Sequence, residues 1–211
     1  MGIVLNLFAS VFVGVISYYL KWLTFGGSVI TSLMASAILF KLGWFWAFPP
    51  LLFLTMGSIL SILSGKRERR DYKQVLANGL IAVICAFLEF EGGYITAISV
   101  AFSDTTATEM GIKFAKRTYL ITNFKEVPKG TSGGISFIGT ISGLSVIILL
   151  SIYAWIGGIN PFNVFIAATV GFFSDSIIGA TLESKGYFGN NTTNLLSNII
   201  GVLVYSISTL K

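Results

Sequence analysis

The chain has 211 residues, of which 54% are hydrophobic and 11% charged, with a formal net charge of +5 and a mean hydropathy of +0.82. That balance excludes a soluble domain of this length and leaves a single integral membrane domain over residues 1–211. Histidine is absent, which excludes a His general base, a Ser-His-Asp triad and a His-ligated metal, so carboxylates must do any acid, base or hard-metal work.

A membrane-spanning helix needs about 20 apolar residues. Hydrophobic stretches predict an all-α, polytopic transmembrane helical bundle of about seven to eight spans: 2–20, 24–40, 42–63, 74–91, 93–113, 134–156, 161–181 and 194–210. The first lacks the basic start and small-residue cleavage site of a signal peptide and reads as a retained helix. The second is short enough to be re-entrant. Cys85, the lone cysteine, lies in an apolar run and reads as a small buried hydrophobe.

With eight spans, the loops near 21, 64–73, 114–133 and 182–193 share one side of the membrane. They hold Lys21, Lys66, Arg67, Arg69, Arg70, Lys73, Lys116, Arg117, Lys125, Lys129 and Lys185, and Lys113 ends the fifth span facing the same way; Lys41 and Lys211 fall opposite. This bias predicts that the basic side is cytoplasmic. Anionic lipid headgroups are the natural partners of these loops, above all of Lys66–Arg70, and nucleic-acid binding is not expected.

Polar residues then mark the functional candidates. Asp71, Gln74 and Asn78 open the fourth span on one helical face. The fifth carries Asp104, Thr108 and Glu109 in Ala101-Phe-Ser-Asp-Thr-Thr-Ala-Thr-Glu-Met-Gly111, and ionisable residues inside a span are costly enough to imply function. Five helical residues turn about 140° beyond one full turn, so Asp104 and Glu109 do not share a face unless the helix breaks. The loop Lys125-Glu-Val-Pro-Lys-Gly-Thr-Ser-Gly-Gly134 sets Lys129 beside Gly130, Thr131, Gly133 and Gly134 just before a helix, an anion-binding arrangement. Gly139 and Gly143 form a small-xxx-small pair suited to close helix packing.

The seventh span repeats the fifth weakly: Phe172-Phe-Ser-Asp-Ser-Ile-Ile-Gly-Ala-Thr-Leu-Glu183 again reads Phe-Ser-Asp, then Ala-Thr and a glutamate, here one residue further on. Asp175 corresponds to Asp104 and Glu183 to Glu109. Asn191, Asn194 and Asn198 place a second amide stripe on the last helix. Carboxylates and amides without His or thiolate ligands suit Mg²⁺, which is usually completed by substrate phosphates. Phosphoryl or nucleotidyl chemistry follows from that pairing.

Gln74-Val-Leu-Ala-Asn-Gly79, Ser103-Asp-Thr-Thr-Ala-Thr-Glu-Met-Gly111, Pro128-Lys-Gly-Thr-Ser-Gly-Gly-Ile-Ser136 and Asp175-Ser-Ile-Ile-Gly-Ala-Thr181 together resemble the transmembrane protein 19 family, which includes a plant phytyl-phosphate kinase. More loosely the chain is similar to dolichol kinase, phytol kinase and CDP-diacylglycerol synthase, although Lys129-Gly-Thr131 departs from their Lys-Thr-Glu-Gly type loop. The resemblance implies a membrane kinase that transfers a phosphoryl group from a nucleoside triphosphate, with CTP favoured, to a prenyl monophosphate. It implies Asp104, Glu109 and Asp175 as holders of Mg²⁺, with Asp104, Asp175 and Lys129 catalytic. Asn78, Thr108, Gly130, Thr131, Gly133, Gly134, Asn191 and Asn194 would bind substrate or nucleotide. The residues by themselves leave two alternatives open, an ion-coupled secondary transporter and a CTP-dependent lipid cytidylyltransferase. A homodimer is compatible with the sequence.

Overall fold

The computed structural model describes residues 2–65 and 68–210. Lys66, Arg67 and Lys211, counted above for sidedness, lie outside the described residues. Among the described residues eight α-helices form one bundle: α1 (Gly2–Tyr19), α2 (Phe25–Lys41), α3 (Gly43–Leu63), α4 (Tyr72–Phe87), α5 (Glu91–Phe114), α6 (Phe137–Ile156), α7 (Pro161–Ile178) and α8 (Asn190–Thr209). These are the eight hydrophobic stretches of the sequence, shifted by a few residues at their ends.

The helices are built for lipid. Along α1 the buried residues are Ser10, Gly14 and Ser17, whereas Ile3, Val4, Phe8, Val11 and Phe12 are exposed. A soluble helix has the opposite polarity; here small residues permit close approach and apolar ones meet lipid tails. Ser10 Oγ lies 2.6 Å from Ser36 Oγ on α2, and a side chain on Gly14 would meet the Ser28 carbonyl at 2.7 Å. Among the described residues four segments, α1, α3, α6 and Pro161–Glu183, are long and apolar enough to cross a membrane by length and composition. Helix α5 is not among them because it scarcely meets lipid. It packs against α3, α4, α6, α7 and α8, and residues 92–103 are buried throughout.

The re-entrant expectation for α2 does not hold. At its start Thr24 N–H donates to the Arg70 carbonyl (3.0 Å) beside the start of α4, and at its end Lys41 pairs with Glu89 (3.3 Å) just beyond α4. Helix α2 therefore runs the whole length of α4. Its 17 residues span about 26 Å.

Residues 115–136 hold a feature that the hydrophobic pattern concealed, a small antiparallel sheet of β1 (Thr118–Leu120), β2 (Glu126–Val127) and β3 (Gly134–Ile135). Strand β1 lies in the middle, with Thr118 opposite Val127 and Leu120 opposite Gly134. Three residues of β1 and two in each partner are too few to register as alternating hydrophobicity. Helix α6 accordingly begins at Phe137, capped by Ser136, whose hydroxyl accepts from Gly139 N–H (3.1 Å).

The loops split between two ends. One end gathers the α1–α2 and α3–α4 connections, the sheet and the α7–α8 turn. It carries Lys21, Arg69, Arg70, Lys73, Lys113, Lys116, Arg117, Lys125, Lys129 and Lys185. The other end carries the Lys41–Glu89 pair, the bond from Trp46 Nε1 to Glu91 (3.0 Å) and that from the Tyr153 hydroxyl to the Phe45 carbonyl (2.5 Å).

Candidate functional site

At the basic end a cavity of about 130 Å³ opens between the middle of α5, the start of α6, the end of α7 and the loop 130–134. Its lining includes Asp104, Thr108, Gly130, Thr131, Gly133, Gly134 and Asp175, all expected from sequence, together with Ser132, Ser136, Glu183 and Asn190.

Asp175 is buried, and its neighbours define it. Ser197 Oγ donates to Oδ2 at 3.1 Å, and Asp104 lines the same cavity. With its nitrogen toward the carboxylate, the Asn194 amide donates to Asp175 Oδ2 (3.2 Å) and to the Asn190 carbonyl (3.2 Å), and its oxygen faces the Asn78 amide at 3.2 Å, where Asn78 donates once its nitrogen is turned inward. Two carboxyls lining one small cavity repel each other as anions, an arrangement that a bound cation relieves.

Beyond Ile178 the α-helix widens into a π-helical turn, Gly179–Glu183. Such turns are rare and frequent at functional sites, since one inserted residue re-aims those after it. The consequence here is Glu183, which accepts from Ser132 Oγ (2.7 Å) in the glycine-rich loop and from Thr193 Oγ1 (2.7 Å) on α8. This carboxylate thereby ties loop, α7 and α8 together. Gly133, at φ +75°, lies so close that a side chain there would collide with Ala180, and one on Gly179 would meet Gly133 N at 2.8 Å. Two glycines thus let the loop backbone rest on the π turn. On the opposite wall a side chain on Gly139 would meet the Ala107 carbonyl at 2.6 Å, so the small-xxx-small pair brings α6 against α5 beside Asp104.

Other residues expected at the site lie elsewhere. Glu109 does not join Asp104 and Asp175: it is buried on another face of α5, accepting from Ser61 Oγ (3.1 Å) and from Ser64 Oγ, beside Arg70. The 140° offset of a straight helix decides this, because α5 does not break. Burial lowers the Arg70 guanidinium from its ordinary value, and the charge of Glu109 opposes that. Lys129 is exposed and donates from Nζ to the Ile112 carbonyl (3.3 Å), one of the last carbonyls of α5, outside the cavity lining. Asn191 does not line the cavity; its neighbour Asn190 does. Asp71 and Gln74 form a capping box at the start of α4, with bonds of 2.9 and 3.1 Å. Asn78 and Asn194 meet each other between α4 and α8.

Among the described residues no three acidic or cysteine side chains converge closely enough to enclose a metal ion. A pair of carboxyls beside serine and threonine hydroxyls does suit Mg²⁺, which commonly takes one or two carboxylates and fills its remaining positions with water and phosphate. Asp104 and Asp175 are the residues that would hold it.

The site's motifs lie within a family already defined by sequence. Residues 8–202 match the model of the integral membrane protein family DUF92. The chain belongs to that family. The likeness read from the four motifs leads to the same family. Among its relatives, the uncharacterized membrane protein MJ0933 of Methanocaldococcus jannaschii is 32% identical over 201 residues, covering 85% of this chain and 84% of its own. Protein VTE6, chloroplastic, of Arabidopsis thaliana is 29% identical over 170 residues, covering 72% of this chain and 51% of the plant protein, so the match spans about half of that protein's length. Protein PGR of the same plant is 25% identical over 219 residues, covering 81% and 75%. No solved structure matches the chain.

Proposed function

We propose that this chain is a prenyl-phosphate kinase, transferring a phosphoryl group from a nucleoside triphosphate, with CTP favoured, to the phosphate of a prenyl monophosphate. The family resemblance of its motifs supplies the substrate class. The observation that carries the chemistry is the cavity in which Asp104 and Asp175 face a glycine-rich loop at the start of α6. At about 130 Å³ it accepts phosphate groups and leaves the nucleoside at the mouth.

Phosphoryl transfer asks for alignment and charge neutralisation more than covalent chemistry. Mg²⁺ held by Asp104 and Asp175 would offset charge on the donor phosphates. The loop 130–134 contributes its serine and threonine hydroxyls and backbone, and Glu183 positions it by holding Ser132. Asn194 and Ser197 orient Asp175 from α8. The acceptor is already an anionic phosphate oxygen, so no strong general base is required, in keeping with a chain that lacks histidine. The basic loops support a cytoplasmic orientation for this end of the bundle.

Purified protein incubated with Mg²⁺, labelled CTP or ATP, and phytyl or geranylgeranyl phosphate tests this reading. Wild type should form the diphosphate, and Asp104→Asn and Asp175→Asn should each lower kcat at least 100-fold; no diphosphate with any donor, or full activity in both variants, would overturn it. Mass spectrometry separates a gain of one phosphate from the gain of CMP that a cytidylyltransferase would give. Chelation with EDTA should abolish turnover, and excess Mg²⁺ should restore it.

A further inference from the structure

A second cavity, of about 260 Å³, lies among α1, α2, α3 and α4. Its walls are nearly all apolar, with Val13, Met34, Phe48, Leu51, Val83 and Ile98 representative. It extends lengthwise through the bundle: Trp44 and Phe48 belong to the start of α3 at the far end, whereas Leu23 and Arg70 belong to the loops at the basic end. Polarity is concentrated at that basic end, where Arg70, Gln74 and Asn78 line it.

We infer that this cavity seats the isoprenoid chain of the lipid substrate, with Arg70 and Asn78 at its polar end meeting the lipid phosphate; the inference rests on the kinase reading and locates its lipid half. Shape is the first argument. An apolar space of about 260 Å³, below the usual lower size of ligand pockets of about 300 Å³ and drawn out from Trp44 to Arg70, suits one chain rather than the two of a diacyl lipid. Charge is the second. A guanidinium offers five N–H donors in a planar fork suited to phosphate, so Arg70, with Glu109 beside it, can hold Ser61 Oγ (Nη2 at 3.3 Å) and still turn donors toward an anion.

Connection is the third argument. Asn78 lines the apolar cavity and meets Asn194 at 3.2 Å, and Asn194 lies 3.2 Å from Asp175 in the polar cavity. One pair of amides therefore separates the polar end of the lipid cavity from the carboxylates. A phosphate held at Arg70 and Asn78 is adjacent to the donor side while its tail stays among apolar side chains.

The test uses the full chain in nanodiscs with a prenyl phosphate carrying a benzophenone at the tail end, followed by digestion and mass spectrometry. Adducts should fall on α3 and its neighbours around Phe48 and Leu51, and geranylgeranyl phosphate should compete for them. Ala35→Phe, which fills the cavity from α2, should cut labelling and shift preference from geranylgeranyl toward geranyl phosphate at least 10-fold. Adducts confined to lipid-facing residues such as Phe8 and Phe12, or equal competition by dioleoyl phosphatidic acid, would overturn the assignment. Wild-type labelling is read without turnover, so cavity adducts in a protein that forms no diphosphate would sustain the lipid site and sink the kinase reading. Diphosphate formation with adducts elsewhere would do the reverse.

Discussion

Two glutamates with the same sequence signature have different work. Glu109 directly follows Ala-Thr and Glu183 follows Ala-Thr-Leu, each in a repeat headed by Phe-Ser-Asp, yet only Glu183 lines the polar cavity. The difference is rotation about a helix axis. Five residues of regular α5 carry Glu109 away from Asp104, and eight residues that include a π turn bring Glu183 back to the side of Asp175. Glu183→Gln should therefore lower kcat about 10-fold or more while the protein keeps its elution profile in detergent. Glu109→Gln should act mainly on stability, because it removes the charge that faces Arg70 and weakens bonds from Ser61 and Ser64. The loss should be about 3 kcal/mol, measured as a lower Tm. A Glu109→Gln variant as stable as wild type would show that its cluster is not structural.

At the scale of elements, the site depends on backbone contact between a loop and a helix end. Gly133 has a positive φ and sits against Ala180, so Gly133→Ala meets both a conformational penalty and a collision. It should displace the loop 130–134, raise KM for the nucleotide several-fold and speed proteolytic cleavage between Lys125 and Lys129. Unchanged KM and cleavage would mean that the loop does not need this seat. The sequence made the loop visible through its glycines, but neither the three short strands that hold it nor its π-helical platform leaves a periodic signal. Helix α5 shows the same division. Its polar residues Asp104, Thr108 and Glu109 stood out in the sequence as functional candidates, but that a helix wrapped by five others carries them, and so meets little lipid, is visible only in the packing.

For the whole molecule, sidedness is the outstanding expectation. Cys85 is buried, so single cysteines placed on the surface can be read against a quiet background. Lys125→Cys, in the loop at the basic end, should resist a membrane-impermeant maleimide in intact cells and react after permeabilisation. Lys41→Cys at the opposite end should react in both. The reverse pattern would place the polar cavity outside the cytoplasm.

Lipid imposes long apolar runs and confines cationic side chains to loops, so a membrane bundle of about seven to eight helices with charge gathered at one end was legible in the sequence. The sequence also selected Asp104, Asp175 and the loop 130–134, since carboxylates in spans and clustered glycines stand out against an apolar background. Tertiary structure alone decided which polar groups meet. It separated Glu109 from the pair and brought in Glu183 and Asn190. It also put Lys129 on the end of α5 and opened an apolar space beside Asn78. These outcomes turn on helix rotation, one inserted residue and the distance between backbones, none of which is written in the spacing of residue types along a single chain.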